Sequence, residues 1–276
     1  MNTSSKSGKL WVVATPLGNY GDFSPRAREV LEKVDYILAE DTRKTGRLLA
    51  DCHIDAPPMT SFHDFNESSK LQVVLEQLHE GKDIALVSDA GTPLLSDPGY
   101  LLVRQCHAQG ITVCPVPGPS AVTTALSASG LAPLPFAFLG FPPRKENDIA
   151  RFFSPYSRLA MTLVFFERKD RLSATLAIAF EQLGNRQACI ARELTKTYEE
   201  FIPFQLAEYT NISTGLLGEI TVVIGPPDKL EKTPEEQVKL LLVQEQTKGG
   251  KPKEIAKRVT DIATGWSTKD IYALLK

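Results

Sequence analysis

Apolar and polar positions change period several times along this chain, and the changes divide it. Over residues 10–129, short apolar runs alternate with longer amphipathic stretches. The runs Leu10–Ala14, Asp35–Ala39, Ile84–Val87 and Ile111–Cys114 predict strands. The stretches Pro25–Lys33, Thr42–Ala50, Glu67–Glu80, Tyr100–Gln109 and Ser120–Ser129 predict helices. A run that is apolar throughout, such as IALV at 84–87, suits a mostly parallel sheet covered on both faces. LAPLPFAFLGFPPRKE at 131–146 breaks the rhythm with four prolines and predicts the passage to a second unit. There, Phe136–Gly140, Met161–Phe166, Ala188–Ala191 and Glu219–Ile224 read as strands and Arg171–Leu183 as a helix. PPDKLEKTPEE at 226–236 reads as a linker. Three short helices, Glu235–Gln246, Lys253–Ala263 and Thr268–Leu275, follow it, with Pro252 suited to a helix start and Ser267 to a cap. Three domains are expected: 1–130, 131–228 and 229–276, the last helix-turn-helix-like.

Three predicted strands end in Gly/Pro loops: TPLGNYGDFSP at 15–25, SDAGTPLLSDPG at 88–99 and PVPGPS at 115–120. Open α/β sheets place their sites at such strand ends. Gly91 and Gly99 allow conformations that a side chain forbids, while Pro93 and Pro98 stiffen the loop. Ser120 is placed to cap the following helix. Neither GxGxxG nor GxxxxGK[ST] occurs, which weakens the dinucleotide and P-loop readings.

Composition narrows the class. With 276 residues and 42% hydrophobic content the chain can bury a sizeable core. Net charge is −2, unevenly spread: residues 229–276 hold 10 Lys/Arg against 7 Asp/Glu, a net +3, so residues 1–228 carry −5. A mildly basic tail suits either a nucleic-acid partner or a solvated helical surface. Four scattered cysteines lack metal-ligand spacing, so neither a zinc site nor a disulfide framework is expected. No apolar run approaches the ~20 residues of a membrane span. The polar start MNTSSKSGK lacks a signal-peptide core. A cytoplasmic protein is expected.

Nine collinear stretches carry a resemblance: VATPLGNYGD (13–22), AEDTRKTGRLL (39–49), SFHDFNE (61–67), VSDAGTPLLSDPG (87–99), VPGPSAVTTALSASG (116–130), FLGFPPRK (138–145), FFE (165–167), ARELTKTYEE (191–200) and GEITVVIG (218–225). In these the chain resembles the tetrapyrrole methylase superfamily, and within it the branch that methylates ribosomal RNA. TPLGN stands where the macrocycle makers often carry GxGPG. The resemblance implies two α/β domains of that type with a cofactor cleft between them, plus a small C-terminal helical domain. It implies S-adenosylmethionine held by Pro16, Gly18, Asp89, Ala90, Gly91, Ser96, Pro117, Gly118, Pro119 and Ser120, and no metal. It further implies methylation of the ribose 2′-hydroxyl of a cytidine near the decoding site of small-subunit ribosomal RNA, by a homodimer.

Methyl transfer from a sulfonium is an in-line displacement, so positioning supplies much of the acceleration. A ribose hydroxyl is a poor nucleophile at neutral pH, so a general base or a nearby cation should help. Four catalytic candidates follow. His63 is one, because an imidazole can take a proton near neutrality. Glu40 and Asp41 close the second strand, although Asp41 equally suits a helix cap. Arg43 could hold a phosphate or a developing alkoxide. Asn66 either reads a base edge or caps the helix from Glu67. Glu167 either meets substrate at the cleft or pairs with Arg168 or Arg192. Arg144 and Lys145, with Arg168 and Lys169, form a candidate phosphate-tracking surface. Two rivals remain open: a tetrapyrrole C-methyltransferase, and a non-catalytic RNA-binding ribosome-assembly protein.

Overall fold

The structure, a computed structural model, describes residues 7–55, 57–212, 215–228 and 232–275. The first sheet comprises β1 (Lys9–Val13), β2 (Tyr36–Ala39), β3 (Met59–Ser61), β4 (Ile84–Val87) and β5 (Thr112–Val116). All five are parallel, in the order β3-β2-β4-β1-β5. Helices α1 (Pro25–Lys33) and α2 (Thr42–Asp51) cover one face, packing on Val13, Ile37, Ala85 and Val87. Helices α3 (Glu67–His79) and α4 (Tyr100–Ala108) cover the other, on Leu10, Leu38, Ile84 and Leu86. β4 therefore sends alternate side chains into two cores, which is why all four of its residues are apolar and buried.

β1 and β4 are neighbours whose connections leave in opposite directions, β1 toward β2 and β4 across to β5. That is a topological switch point, and the crevice beyond its carboxyl ends is the natural ligand position.

Helix α5 (Ala121–Ala128) follows β5 and packs through Val122, Ala125 and Leu126 on the second sheet, against Val164, Ala191 and Val223. That sheet contains β6 (Phe136–Phe138), β7 (Thr162–Glu167), β8 (Gln187–Arg192), β9 (Glu200–Gln205) and β10 (Ile220–Ile224), in the order β6-β7-β10-β8-β9. β6 and β7 are parallel; the other pairs are antiparallel. Its opposite face is covered by α6 (Glu146–Phe153) and α7 (Leu172–Leu183). Helices α8 (Glu235–Thr247), α9 (Pro252–Thr260) and α10 (Thr268–Ala273) share a core of their own around Val238, Leu242, Ile255, Val259 and Ile271.

Three elements lie outside those predicted: β3, β9 and α6, the last amphipathic with Ile149 and Phe153 buried. β3 and β9 are edge strands, and β9 contains Pro203. β5, another edge, runs through Pro115 to Val116, beyond the predicted end at Cys114. Proline lacks the donor that an inner strand needs, but an edge strand leaves one side unpaired and tolerates it.

Candidate active site

The Gly/Pro loops after β1, β4 and β5 meet. Thr15 and Gly91 exchange backbone hydrogen bonds (2.9 and 3.0 Å), and Thr92 donates through its hydroxyl to the Pro119 carbonyl at 3.0 Å. Gly91 has φ of +80°, and a Cβ there would lie 3.2 Å from Leu17 Cδ2. Glycine suits both demands, left-handed backbone and close packing. The first loop also docks on the second unit: Leu17 joins the apolar cluster of Val122, Leu194 and Val223, and Asn19 N–H donates to Thr195 Oγ1 at 3.1 Å.

A cavity of about 640 Å3 opens between the two sheets. Leu17, Glu40, Lys44, Asp89, Ala90, Ser96 and Asp97 form its first wall; Phe141, Phe166, Arg168, Lys169, Gly218 and Ile220 are among those facing them. One wall is acidic; the other is apolar, with Arg168, Lys169, Asp170 and Glu219 forming a lip of mixed charge in which Arg168 pairs with Asp170 at 3.1 Å.

The acidic wall is built from interlocked strand ends. Asp89 N–H donates to Glu40 Oε2 and Asp41 N–H to Asp89 Oδ1, both at 3.1 Å. Lys44 Nζ reaches Asp89 Oδ2 at 2.6 Å, and this bond raises the lysine pKa. Burial pushes the Glu40 carboxyl up. Asp97 is pushed up to about 7, chiefly by burial and then by the Glu40 charge, against a hydrogen bond from Ser88.

Several anticipated residues stand elsewhere. Asp41 is the N-cap of α2, accepting from Arg43 N–H at 2.9 Å. The Arg43 guanidinium forks onto the same carboxylate at 3.1 and 2.8 Å, which holds Asp41 well below the usual carboxylate range. His63 does not line the cavity; its Nε2 lies 3.0 Å from Asn66 Nδ2 and its Nδ1 is buried without a partner. Asn66 stands at the N-cap of α3 without a side-chain cap bond, because its amide is committed to His63 N–H and the Ser61 carbonyl. Glu167 lines the cavity at the end of β7 with its carboxylate buried, accepting from Thr175 Oγ1 (2.6 Å) and Arg168 N–H (2.8 Å). The ion pair it makes is with Arg171 at 3.5 Å, not with the side chains of Arg168 or Arg192. Ser120 occupies the N-cap of α5 but makes no side-chain cap bond.

Of the anticipated cofactor residues, Asp89, Ala90 and Ser96 reach the cavity. Pro16, Gly18, Gly91 and the turn 117–120 do not line it. Gly18 lies under the Lys196 stem, and Gly118 packs on Ala14. Arg144 and Lys145 are exposed just before α6.

A family profile described as Tetrapyrrole (Corrin/Porphyrin) Methylases matches residues 9–210. The chain belongs to that family. Its relatives include the Ribosomal RNA small subunit methyltransferase I of Vibrio cholerae, 48% identical over 200 residues (72% of this chain, 69% of that one). The protein of the same name from Thermotoga maritima is 44% identical over 79% of this chain and 98% of its own. Among solved structures, a uroporphyrin-III C-methyltransferase from Thermus thermophilus, complexed with S-adenosyl homocysteine, aligns with TM-score 0.56 over 79% of this chain and 97% of that one, at 16% identity. That likeness is one of fold.

In this tetrapyrrole methylase, sequence reasoning missed Leu17, Lys44, Asp97 and Phe141 as cleft residues. Asp97 carried a signal, lying in the same DAGTPLLSDPG loop as Asp89. Phe141 carried none, because only the fold brings residue 141 opposite residue 89.

Proposed function

We propose that this chain transfers a methyl group from S-adenosylmethionine to small-subunit ribosomal RNA, at the 2′-hydroxyl of a cytidine ribose near the decoding site. The observation that carries the reading is 44–48% identity to proteins named for small-subunit ribosomal RNA methylation, one of them spanned over 98% of its length. The cleft fits the donor. Its apolar wall, Phe141, Phe166 and Ile220, suits an adenine ring, and its carboxylates Asp89 and Glu40 suit a sulfonium cation. Bound there, the donor supplies a methyl group activated by positive sulfur. Asp89, Ala90 and Ser96 would hold it from the first sheet, and the bonds of Gly91 to Thr15 and of Thr92 to Pro119 brace their loop from behind.

The rim suits RNA. Arg168 and Lys169 line the lip, Arg144 and Lys145 stand exposed on the same unit, and Arg43 and Lys44 begin α2 on the other. Cations so spread neutralise phosphates without reading bases. Phe65, 99% exposed after β3, offers a ring on which an unpaired base can stack. In this reading residues 1–130 and 131–228 clasp the donor, and 229–276 adds RNA contacts. The protein works in the cytoplasm as a homodimer; light scattering on the purified chain tests the dimer.

The deciding experiment is radiolabelled transfer from S-adenosylmethionine to small subunits isolated from cells lacking this protein. Label at one alkali-resistant linkage is the expected result. Absence of label with donor binding intact overturns the reading and directs attention to macrocyclic substrates.

A further inference from the structure

Phe65 stands 99% exposed in the loop between β3 and α3, yet the backbone that carries it is fastened on both sides. Asn66 does most of the fastening. Its Oδ1 accepts His63 N–H at 2.9 Å, and its Nδ2 donates to the Ser61 carbonyl at 3.2 Å and to His63 Nε2 at 3.0 Å. The His63 carbonyl accepts the main-chain N–H of Asn66 and that of Glu67, both at 2.9 Å. The Phe65 ring meets the His63 ring edge-on, with 6.1 Å between centroids, and is otherwise open to water. The loop is stiff and the ring is bare.

One exposed ring by itself would carry no argument. This one has neighbours. Glu67, two residues further on, reaches α4 and accepts Leu101 N–H at 3.1 Å, which brings the start of that helix beside the loop. There Tyr100 stands 62% exposed, with Leu95 and Leu101 exposed around it. Arg104 follows Tyr100 by one helical turn on the same face and is exposed as well. The strip adjoins the donor cavity, because Ser96 and Asp97, directly after Leu95, line its wall.

We propose that Phe65 and Tyr100 are stacking platforms for unpaired nucleotides flanking the one that is methylated, with Arg104 holding a phosphate of the same strand. The inference rests on the methyl-transfer reading above. It adds the form of the substrate, a single-stranded segment laid across the first unit. Bases within a helix stack on one another and are closed to a protein ring, whereas splayed bases are free to stack on aromatic side chains. Separate rings with a cation beside them fit a nucleotide strand, which offers a π-face and a phosphate at each step. The core of a protein interface is instead contiguous and depleted in charge.

Stiffness gives the strip a second role. In-line displacement loses rate steeply when the nucleophile is misplaced by about 1 Å. Flanking bases seated on fixed rings hold the target ribose at one distance from the donor. Asn66, which touches no nucleotide in this scheme, is then a positioning residue that acts through Phe65.

The test measures binding of the full chain to a short unstructured RNA oligonucleotide carrying 2-aminopurine, and to a perfect RNA duplex. Single-turnover methyl transfer to small subunits from cells lacking this protein is followed alongside. Wild-type protein is expected to prefer the unpaired strand and to quench the fluorescent base on binding. Phe65→Ala should weaken that binding by about 5- to 150-fold and relieve the quenching, as loss of one stacked base requires. Its donor Kd and the salt dependence of its RNA affinity should stay as in wild type, because no charge is lost. Phe65→Trp should retain both affinity and quenching. Arg104→Gln should instead lower the slope of log affinity against log salt by about 0.7, one phosphate contact on a single strand. A Phe65→Ala protein that binds the unpaired strand and labels subunits like wild type overturns the inference alone. So does equal affinity for the duplex. Light scattering that shows Phe65→Ala falling to monomers from a larger wild-type assembly also overturns it, assigning the ring to a contact between copies. Wild-type protein that labels no subunit overturns the methyl-transfer reading, and this inference with it.

Discussion

Arg186 is fully buried, and its guanidinium bonds only to main-chain oxygens among the described residues: Leu183 O at 3.2 Å, Tyr156 O at 3.0 Å and Ser157 O at 2.8 Å. It gathers the carbonyls at the end of α7 and in the turn after α6, where helix dipoles are negative. Lysine carries the charge but not the planar fork, so Arg186→Lys should cost about 1–3 kcal/mol in urea unfolding with donor affinity unchanged. Asp97 shows the opposite economy. Its folded pKa of about 7 lies above the ordinary carboxylate value, so the folded state binds the extra proton. Its stabilising contribution is complete below the unfolded pKa and is lost as pH rises through 7. Asp97→Asn should therefore raise Tm at pH 8 and leave it nearly unchanged at pH 4. Equal shifts at both pH values would contradict the burial of that charge. Gly91 and Gly99 were legible as residues, since glycine flanked by proline predicts an unusual turn. The roles of His63 and Asn66 were not, because a side chain's partner three residues away depends on how the loop closes.

At the scale of elements, α4 lacks a cap from its own sequence. Gly99 stands at its N-cap with φ of 117°, and the acceptor comes from α3, where the buried Glu67 carboxylate takes Leu101 N–H and Leu102 N–H at 3.1 and 3.2 Å. A carboxylate at a helix N-terminus meets both the free donors and the dipole. Glu67→Gln keeps one acceptor and loses the charge, and should cost about 1–2 kcal/mol by chemical denaturation. Gly99→Ala should cost more, since its Cβ would sit 2.4 Å from Leu86 Cδ2. An unchanged midpoint for either variant would contradict the packing described. Inner strands and long helices were legible because burial on defined faces writes a period into the sequence. Edge strands β3 and β9 were not, being short or interrupted by proline.

The whole molecule joins its units at few points. α5 and Leu17 pack the first unit onto the second sheet, and Asn19 bonds to Thr195 across the junction. The C-terminal helices have a separate apolar core and meet the second unit through Arg158 and Gln237. Removing residues 229–276 should leave donor Kd unchanged and weaken RNA binding. Log affinity against log salt should lose slope by close to one for each phosphate contact removed. Unaltered slope would assign those helices to assembly or packing instead. Among the described residues no helix is long and apolar enough to cross a membrane.

The sequence by itself determined the alternation of strand and helix, the three Gly/Pro loops and the family. These are local or collinear properties, carried by side-chain period, by backbone permission at glycine and by motifs read in order. Only the tertiary structure decided which residues share the cleft. It turned Glu167 inward onto Thr175 and Arg171, and tied Asp41 to its own helix. It also set Asp97 on the cavity wall beside Glu40 and Asp89. Those outcomes depend on which groups consume one another's hydrogen bonds across long separations, and a sequence pattern carries no record of that competition.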